Sequence, residues 1–79
     1  MLVYVAFEDG ESFSISDNGV IKKAKGNPSV LVVRELKQEM FSFAITQKVK
    51  LFQCQDEREQ CLEKLVRVLF PYCKSCKFQ

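Results

Sequence analysis

Residues 56–70 read DEREQCLEKLVRVLF and have the clearest helical period in the chain. Apolar residues recur in this segment at spacings of three and four, which places them on one stripe of a helix. The stripe consists of Cys61, Leu62, Leu65, Val66, Leu69 and Phe70. Asp56 and Glu59 have the spacing of a capping box, and Pro71 cannot continue a helix. We therefore predict an amphipathic helix over residues 56–70 whose apolar side covers a sheet.

The chain before this helix consists of short segments rich in β-forming residues. An Asp-Gly turn at residues 9–10 separates residues 2–7 from residues 12–16, which predicts an antiparallel hairpin. Further strands are predicted over residues 20–25, 29–36, 40–45 and 48–54. Because hairpin-length turns join these segments and no βαβ pattern is evident, we predict an α+β fold. It consists of a bent antiparallel sheet of about six strands closed by one C-terminal helix.

The length of 79 residues predicts one domain, over residues 1–71, followed by a C-terminal tail over residues 72–79. Apolar residues make up 47% of the chain, which is too many for a disordered protein. The formal net charge of +2 is too small to indicate nucleic-acid binding, so no nucleic acid is expected as a partner. No apolar run approaches the roughly 20 residues of a membrane span, and the N-terminus does not resemble a secretion signal. We therefore expect a soluble intracellular protein of the cytoplasm or nucleus.

Three consecutive segments resemble the C-terminal half of the pleckstrin-homology-like superfold. Residues 41–45 are similar to its apolar strand, residues 49–54 to its last strand, and residues 56–70 to its closing helix with an acid-rich first turn. The resemblance implies a partial barrel plugged by the C-terminal helix, and a binding function. A fainter likeness, to the pleckstrin-homology-like domain of meiotic DNA-break accessory proteins, gives an alternative function.

The residue types that most enzymes need are missing or have another explanation. The chain has no histidine, which removes the commonest general base and every Ser-His or Cys-His pair. Its carboxylates cluster at a hairpin turn, residues 8–11, and at a helix start, residues 56–59, where solvent and the helix dipole account for them. No phosphate-binding glycine loop occurs. We therefore predict no enzymatic activity, no cofactor and no small-molecule substrate.

Apolar residues outnumber what one face of so small a sheet accommodates. Tyr4, Leu31, Val33 and Phe52 are predicted to point away from the inward set of their strands. Such residues either bind a partner or belong to strands that are covered on both faces. We predict a non-enzymatic protein–protein interaction module, part of a larger complex or a homo-oligomer. These four residues would bind the partner at a sheet edge or beside the helix.

A basic cluster offers an alternative from another functional class. Lys22, Lys23 and Lys25 follow one another closely beside Gly26. Similar basic loops of pleckstrin-homology domains bind phosphoinositide head groups, with about 1 kcal/mol per cation near an anionic surface. The alternative function is therefore binding to phosphoinositides at a membrane surface. If it does not bind them, the cluster is a solvated loop.

Four cysteines, Cys54, Cys61, Cys73 and Cys76, all lie in the last third of the chain. Because residues 1–53 contain none, the four do not form the disulfide framework of a small secreted domain, and we predict reduced thiols. Cys61 lies on the apolar stripe as a small core residue. Cys73 and Cys76 have the C-x-x-C spacing of a zinc site or a redox pair. A zinc-stabilised module and a C-terminal disulfide therefore stay open as alternatives.

Overall fold

The computed structural model describes residues 2–71, which form an α+β fold with one sheet and two helices. The elements in chain order are β1 (Leu2–Phe7), β2 (Ser12–Ser16), β3 (Ile21–Lys23), β4 (Val30–Val33), α1 (Gln38–Gln47), β5 (Lys50–Gln53) and α2 (Arg58–Leu69). Neither helix has the length and apolarity that crossing a bilayer requires in this part of the chain. This set of strands and helices confirms the coarse prediction of an α+β fold.

The sheet has the strand order β3-β2-β1-β4-β5 and is mixed. Strand β2 is antiparallel to both β1 and β3, whereas β1, β4 and β5 run parallel to one another. The predicted antiparallel sheet of about six strands is thus wrong in two respects, because residues 2–71 form five strands and two of the four strand pairs are parallel. Strands β3 and β5 are its two edges.

The predicted hairpin is confirmed as β1 and β2. Gly10 has a φ of +94°, a conformation that suits glycine in a tight turn. The Phe7 N–H donates to the Glu11 carbonyl at 2.8 Å, which closes the hairpin. The register places Val5 opposite Phe13, so apolar residues of both strands share one face.

The predicted strand over residues 40–45 is wrong, because these residues belong to α1. Apolar residues alternate with small ones in this segment, and that alternation is the period of a strand. The helix ends at Gln47, and its C-cap residue Lys48 has a left-handed φ of 56°. The crossover β4-α1-β5 is a βαβ unit, and it is the reason that β5 runs parallel to β4. The sequence prediction excluded such a unit only because it read α1 as a strand.

The predicted C-terminal helix is confirmed as α2 but is shorter than expected, since it begins at Arg58 and ends at Leu69. The predicted capping box is wrong. The N-cap residue is Glu57, and no side chain forms a capping hydrogen bond. Asp56 instead forms an ion pair with Lys64.

Helix α2 buries its apolar stripe against one face of the sheet. The core consists of Val5, Phe7, Ile15, Val30 and Val32 from the strands, together with Cys54, Cys61, Leu62, Leu65 and Val66. Leu69 and Phe70 pack against it. Helix α2 therefore covers a sheet that keeps two open edges, rather than plugging a barrel.

Some burial occurs outside this core. Val33, Ala44 and Val49 are buried but do not belong to the α2 cluster. They lie in β4, in α1 and immediately before β5, so their burial accompanies the βαβ crossover. Helix α1 packs beside β5 and buries one residue, Ala44. Most of its side chains are therefore in solvent.

Candidate functional site

The four residues predicted to bind a partner do not share one exposed surface. Val33 is 1% exposed, so it has no accessible side chain. Phe52 lies opposite Val32 in the register and packs against the α2 core, so the prediction that it points away from the core is wrong. Leu31 and Tyr4 are half-buried. Phe52 was misplaced because the sequence prediction chose the other face of β5 as the inner one, which is equivalent to a shift of one residue.

Among residues 2–71, three of the seven exposed large apolar side chains lie on α1. Phe41, Phe43 and Ile45 are 49%, 52% and 79% exposed, and the sequence prediction had placed them on one side of a strand. Phe41 and Ile45 are four residues apart, a helical spacing that could have indicated this face. A helix that buries one alanine and exposes three large apolar residues is unusual for an isolated domain.

The open edge of β5 lies next to this helix. The N–H groups of Lys50 and Cys54 donate to Ser29 and Val33 carbonyls at 2.9 Å, so they point toward β4. Because strand N–H groups alternate in direction, those of Leu51 and Gln53 point to the open edge. Such an edge can pair with an added strand.

Positive charge surrounds the same region. Lys37, Lys48 and Lys50 are exposed, and none forms an ion pair with another residue of the described chain 2–71. Glu39 is the one acidic residue in the segment 37–50. On the helix, Phe41 and Ile45 lie on one side and Phe43 lies on the other. We use the name α1–β5 surface for the exposed side chains of Phe41 and Ile45, the open edge of β5, and these three lysines.

A charged cluster joins the hairpin turn to α2. The Arg58 guanidinium donates to the Asp9 carboxylate at 2.9 Å and also to that of Glu11. It lies over the Phe7 ring, 4.3 Å from its centroid, as a cation–π contact. Lys23 pairs with Glu11 at 3.1 Å. The acidic turn residues therefore hold the hairpin against the helix.

The pKa values of this cluster move apart, as expected for a set of ion pairs. The Glu11 N–H and then Arg58 lower the pKa of Asp9 by hydrogen bonding to its carboxylate. Hydrogen bonds from Arg58 and from Lys23 lower the pKa of Glu11. The same two carboxylates raise the pKa of Arg58. All three groups stay charged near neutral pH, so none of them is prepared for proton transfer.

A cleft of about 270 Å³ lies beside this cluster, at the carboxyl ends of β1, β4 and β5. Ligand sites of sheets with parallel strands commonly occupy this position. Phe7, Val32 and Val33 supply its apolar lining, and Arg34 and Arg58 are its cations. The cleft also reaches the two cysteines that flank the start of α2.

Those two residues, Cys54 and Cys61, form a disulfide. The prediction of reduced thiols is therefore wrong for this pair. Cys54 follows the end of β5 and Cys61 lies in the first turn of α2, so the tight connection between these elements brings their Cα atoms to 5.9 Å. Spacing alone could not show this, because the distance depends on how the chain turns over residues 54–57.

The basic cluster predicted for phosphoinositides is divided. Lys22 and Lys23 are neighbours in β3, so their side chains leave opposite faces of the strand. Lys23 and Lys25 border one depression together with Glu11, whereas Lys22 borders another that includes Ser14 and Ser16.

The predicted zinc ligands Cys73 and Cys76 lie outside the residues that the structure describes. Among residues 2–71, no group of three or more histidine, cysteine or acidic side chains is arranged to hold a metal ion.

Comparison of this chain with protein-family models, with curated proteins and with solved structures finds no significant match. The resemblance to the pleckstrin-homology-like superfold therefore stays a prediction. One of the three segments that carry it, residues 41–45, is helical.

Proposed function

We propose that this domain is a non-enzymatic protein-interaction module that binds an extended segment of another protein at the α1–β5 surface. The observation that carries the proposal is the exposure of Phe41 and Ile45 on one side of α1, a helix that packs beside the edge strand β5. An added strand would accept and donate main-chain hydrogen bonds along β5, and its side chains would contact α1.

The energetics favour this surface over the four residues predicted from sequence. Completely burying an exposed apolar side chain such as Ile45 contributes about 1.5–3 kcal/mol. Val33 and Phe52 are already buried or packed in the free domain, so a partner would gain little from them. Leu51 and Leu31, which are half-buried neighbours across β4 and β5, extend the apolar area.

The charges define the chemistry of the partner. Lys37, Lys48 and Lys50 leave the surface positive, so an acidic segment with apolar residues at alternate positions would match it best. Attraction of this kind increases the association rate and weakens with added salt. Four alternatives remain: phosphoinositide binding by Lys22, Lys23 and Lys25, a zinc-stabilised module, homo-oligomerisation, and a role in meiotic DNA breakage. The location in the cytoplasm or nucleus also stays a prediction.

A displayed library of extended peptides tests the proposal directly. Selected peptides should alternate apolar with acidic residues, and their affinities can be measured by fluorescence anisotropy. We expect Ile45→Asp to weaken binding by about tenfold or more, as loss of a central apolar contact does. Val68→Asp is the matched control, because Val68 is 62% exposed on α2 and lies outside the surface.

The position of the bound peptide provides the second measurement. Pairing along β5 should slow hydrogen exchange of the Leu51 and Gln53 amides. If Ile45→Asp and Val68→Asp affect binding equally, or if these two amides exchange as before, the proposed surface is wrong. A solution mass that shows a dimer sensitive to Ile45→Asp would make a second copy of this chain the occupant.

A further inference from the structure

The disulfide between Cys54 and Cys61 belongs to the edge of the core and also borders the cleft. Both residues line the cleft, and Cys54 is 7% exposed whereas Cys61 is 2% exposed. A disulfide that only reinforces the fold needs no opening beside its sulfur atoms. This one borders an opening of about 270 Å³ at the carboxyl ends of the parallel strands.

We propose that Cys54 and Cys61 form a reversible thiol–disulfide exchange site, which small thiols and disulfides reach through the cleft. This site is separate from the α1–β5 surface, so the inference goes beyond the proposed function and does not depend on it. It also relates the disulfide to the predicted intracellular location, because disulfides in the cytosol are mostly transient and redox-active.

The exchange balances as two thiolate displacements. In the reduced protein, the Cys54 thiolate attacks one sulfur of an external disulfide, whose S–S bond breaks and releases one thiolate. The Cys61 thiolate then attacks Cys54 Sγ and releases the second. Two electrons pass from the protein to the external disulfide, and each released thiolate takes a proton from solvent. Reduction is the reverse, with two external thiols as the electron donors.

The surroundings of the two sulfur atoms assign these roles. Both residues are buried, but Cys54 is 7% exposed against 2% for Cys61, so we assign Cys54 as the sulfur that the external reagent meets first. Cys61 lies in the first turn of α2, where the positive end of the helix dipole stabilises a thiolate and makes it a better leaving group. The Asp56 carboxylate lies 4.0 Å from Cys54 Sγ, but its charge is paired with Lys64.

The remaining charges of the cleft indicate which reagents it favours. Arg58 is neutralised by its carboxylate partners, which leaves Glu8 and Glu57 against Arg34. Two carboxylates against one guanidinium give a slightly negative cleft. A cationic or neutral thiol compound should therefore react faster here than an anionic one.

The test uses the full chain with Cys73→Ser and Cys76→Ser, so that only the proposed pair reacts. In this background, Cys61→Ser leaves Cys54 as the one thiol and Cys54→Ser leaves Cys61. Formation of mixed disulfides is followed by mass spectrometry with cystamine, hydroxyethyl disulfide and glutathione disulfide. We expect Cys54 to react about tenfold faster than Cys61 in the folded protein, because access to Cys54 outweighs the larger thiolate fraction of Cys61. We also expect the rate ratio of cystamine to glutathione disulfide to be about threefold higher in folded than in urea-unfolded protein.

A second measurement avoids variants that fail to fold. The disulfide of the chain that keeps both cysteines is reduced with cysteamine, with and without urea. Reduction of the folded protein within about 100-fold of the unfolded rate supports the exchange site, because the sulfur is then reached without global unfolding. Slower reduction overturns the proposal and makes the disulfide a structural bond. Equal reactivity of Cys54 and Cys61 in the folded single-cysteine variants overturns the assignment of the attacking sulfur.

Discussion

Arg58 donates a hydrogen bond to the Asp9 carboxylate at 2.9 Å, although 49 positions separate the two residues in the chain. The same guanidinium also binds Glu11 and lies over the Phe7 ring. One side chain at the start of α2 thus contacts both ends of the hairpin turn. The hairpin and the C-terminal helix, which are the two elements best predicted from the sequence, are held together by a residue that the sequence did not single out.

Replacing Arg58 should therefore destabilise the domain more than replacing an ordinary surface cation. We expect Arg58→Ala to lower the urea midpoint of unfolding, and Arg58→Lys to lower it less, since lysine keeps the charge but not the forked geometry. Lys64→Ala is the matched control, because it removes one exposed ion pair with Asp56. Salt should reduce the Arg58→Ala effect only in part, since the contact with the Phe7 ring persists. Equal midpoints for Arg58→Ala and Lys64→Ala would contradict the role given to Arg58.

Acid should release the same contact. The pKa values of Asp9 and Glu11 are lowered from 3.8 and 4.5 in the folded protein by the hydrogen bonds they accept. A carboxylate with a lowered folded pKa contributes stability that is present above its unfolded pKa and lost as the pH falls through the folded value. We expect the urea midpoint to fall between about pH 5 and pH 2, and to fall less steeply in Arg58→Ala. Identical pH profiles for the two proteins would show that Arg58 does not cause the shifts.

The hairpin and α2 were predictable because their signals are local. An Asp-Gly pair at residues 9–10 determines the turn, and the three-to-four spacing of the α2 stripe needs no knowledge of the rest of the chain. Helix α1 gave a weaker signal, because only Phe41 and Ile45 have a helical spacing. Its exposed Phe41, Phe43 and Ile45 follow a two-residue period. Its one buried residue, Ala44, is too little to create a helical period of apolar residues. A partner that buries these residues would explain the pattern. A single sequence carries no information about such a partner.

The candidate sites were less predictable than the fold because each depends on how neighbouring elements are placed in space. Phe52 changed sides of the sheet through a register difference of one residue, which converts an expected surface residue into a core residue. The pairing of Cys54 with Cys61 depends on the turn that connects β5 to α2. Neither relationship has a sequence pattern of its own. Each becomes visible only in the three-dimensional structure.

Opening the Cys54–Cys61 disulfide should lower stability without unfolding the domain. A cross-link that closes a loop of this length contributes about 2–3 kcal/mol, mainly by restricting the unfolded chain. The reference is the chain with Cys73→Ser and Cys76→Ser. Adding Cys54→Ser and Cys61→Ser to it should lower the unfolding free energy by about that amount. The chain that keeps the pair should show the same loss after reduction, whereas the double variant should not respond to reductant. Complete unfolding on reduction would show that the contacts of α2 cannot maintain the core alone.

Gly26, in the loop between β3 and β4, lies directly against the ring of Tyr4 in β1. A β-carbon on Gly26 would lie 2.8 Å from Cδ1 of the Tyr4 ring, and two further ring atoms would be within 3.0 Å. A ring edge cannot move aside as the end of a flexible side chain does, so the loop must shift. We expect Gly26→Ala to cost about 1–3 kcal/mol of unfolding free energy, as overpacking usually does. Urea unfolding followed by circular dichroism measures this loss.

A second glycine separates this steric effect from a backbone effect. A β-carbon on Gly10 would meet no atom within 4 Å, but the φ of this residue is +94°. Gly10→Ala should therefore be destabilising through backbone strain alone. Shortening Tyr4 to alanine should make Gly26→Ala nearly neutral in the double variant, because the ring that it meets is gone, and should leave the cost of Gly10→Ala unchanged. If Tyr4→Ala rescues neither glycine variant, the contact between Tyr4 and Gly26 is not what makes glycine necessary at position 26.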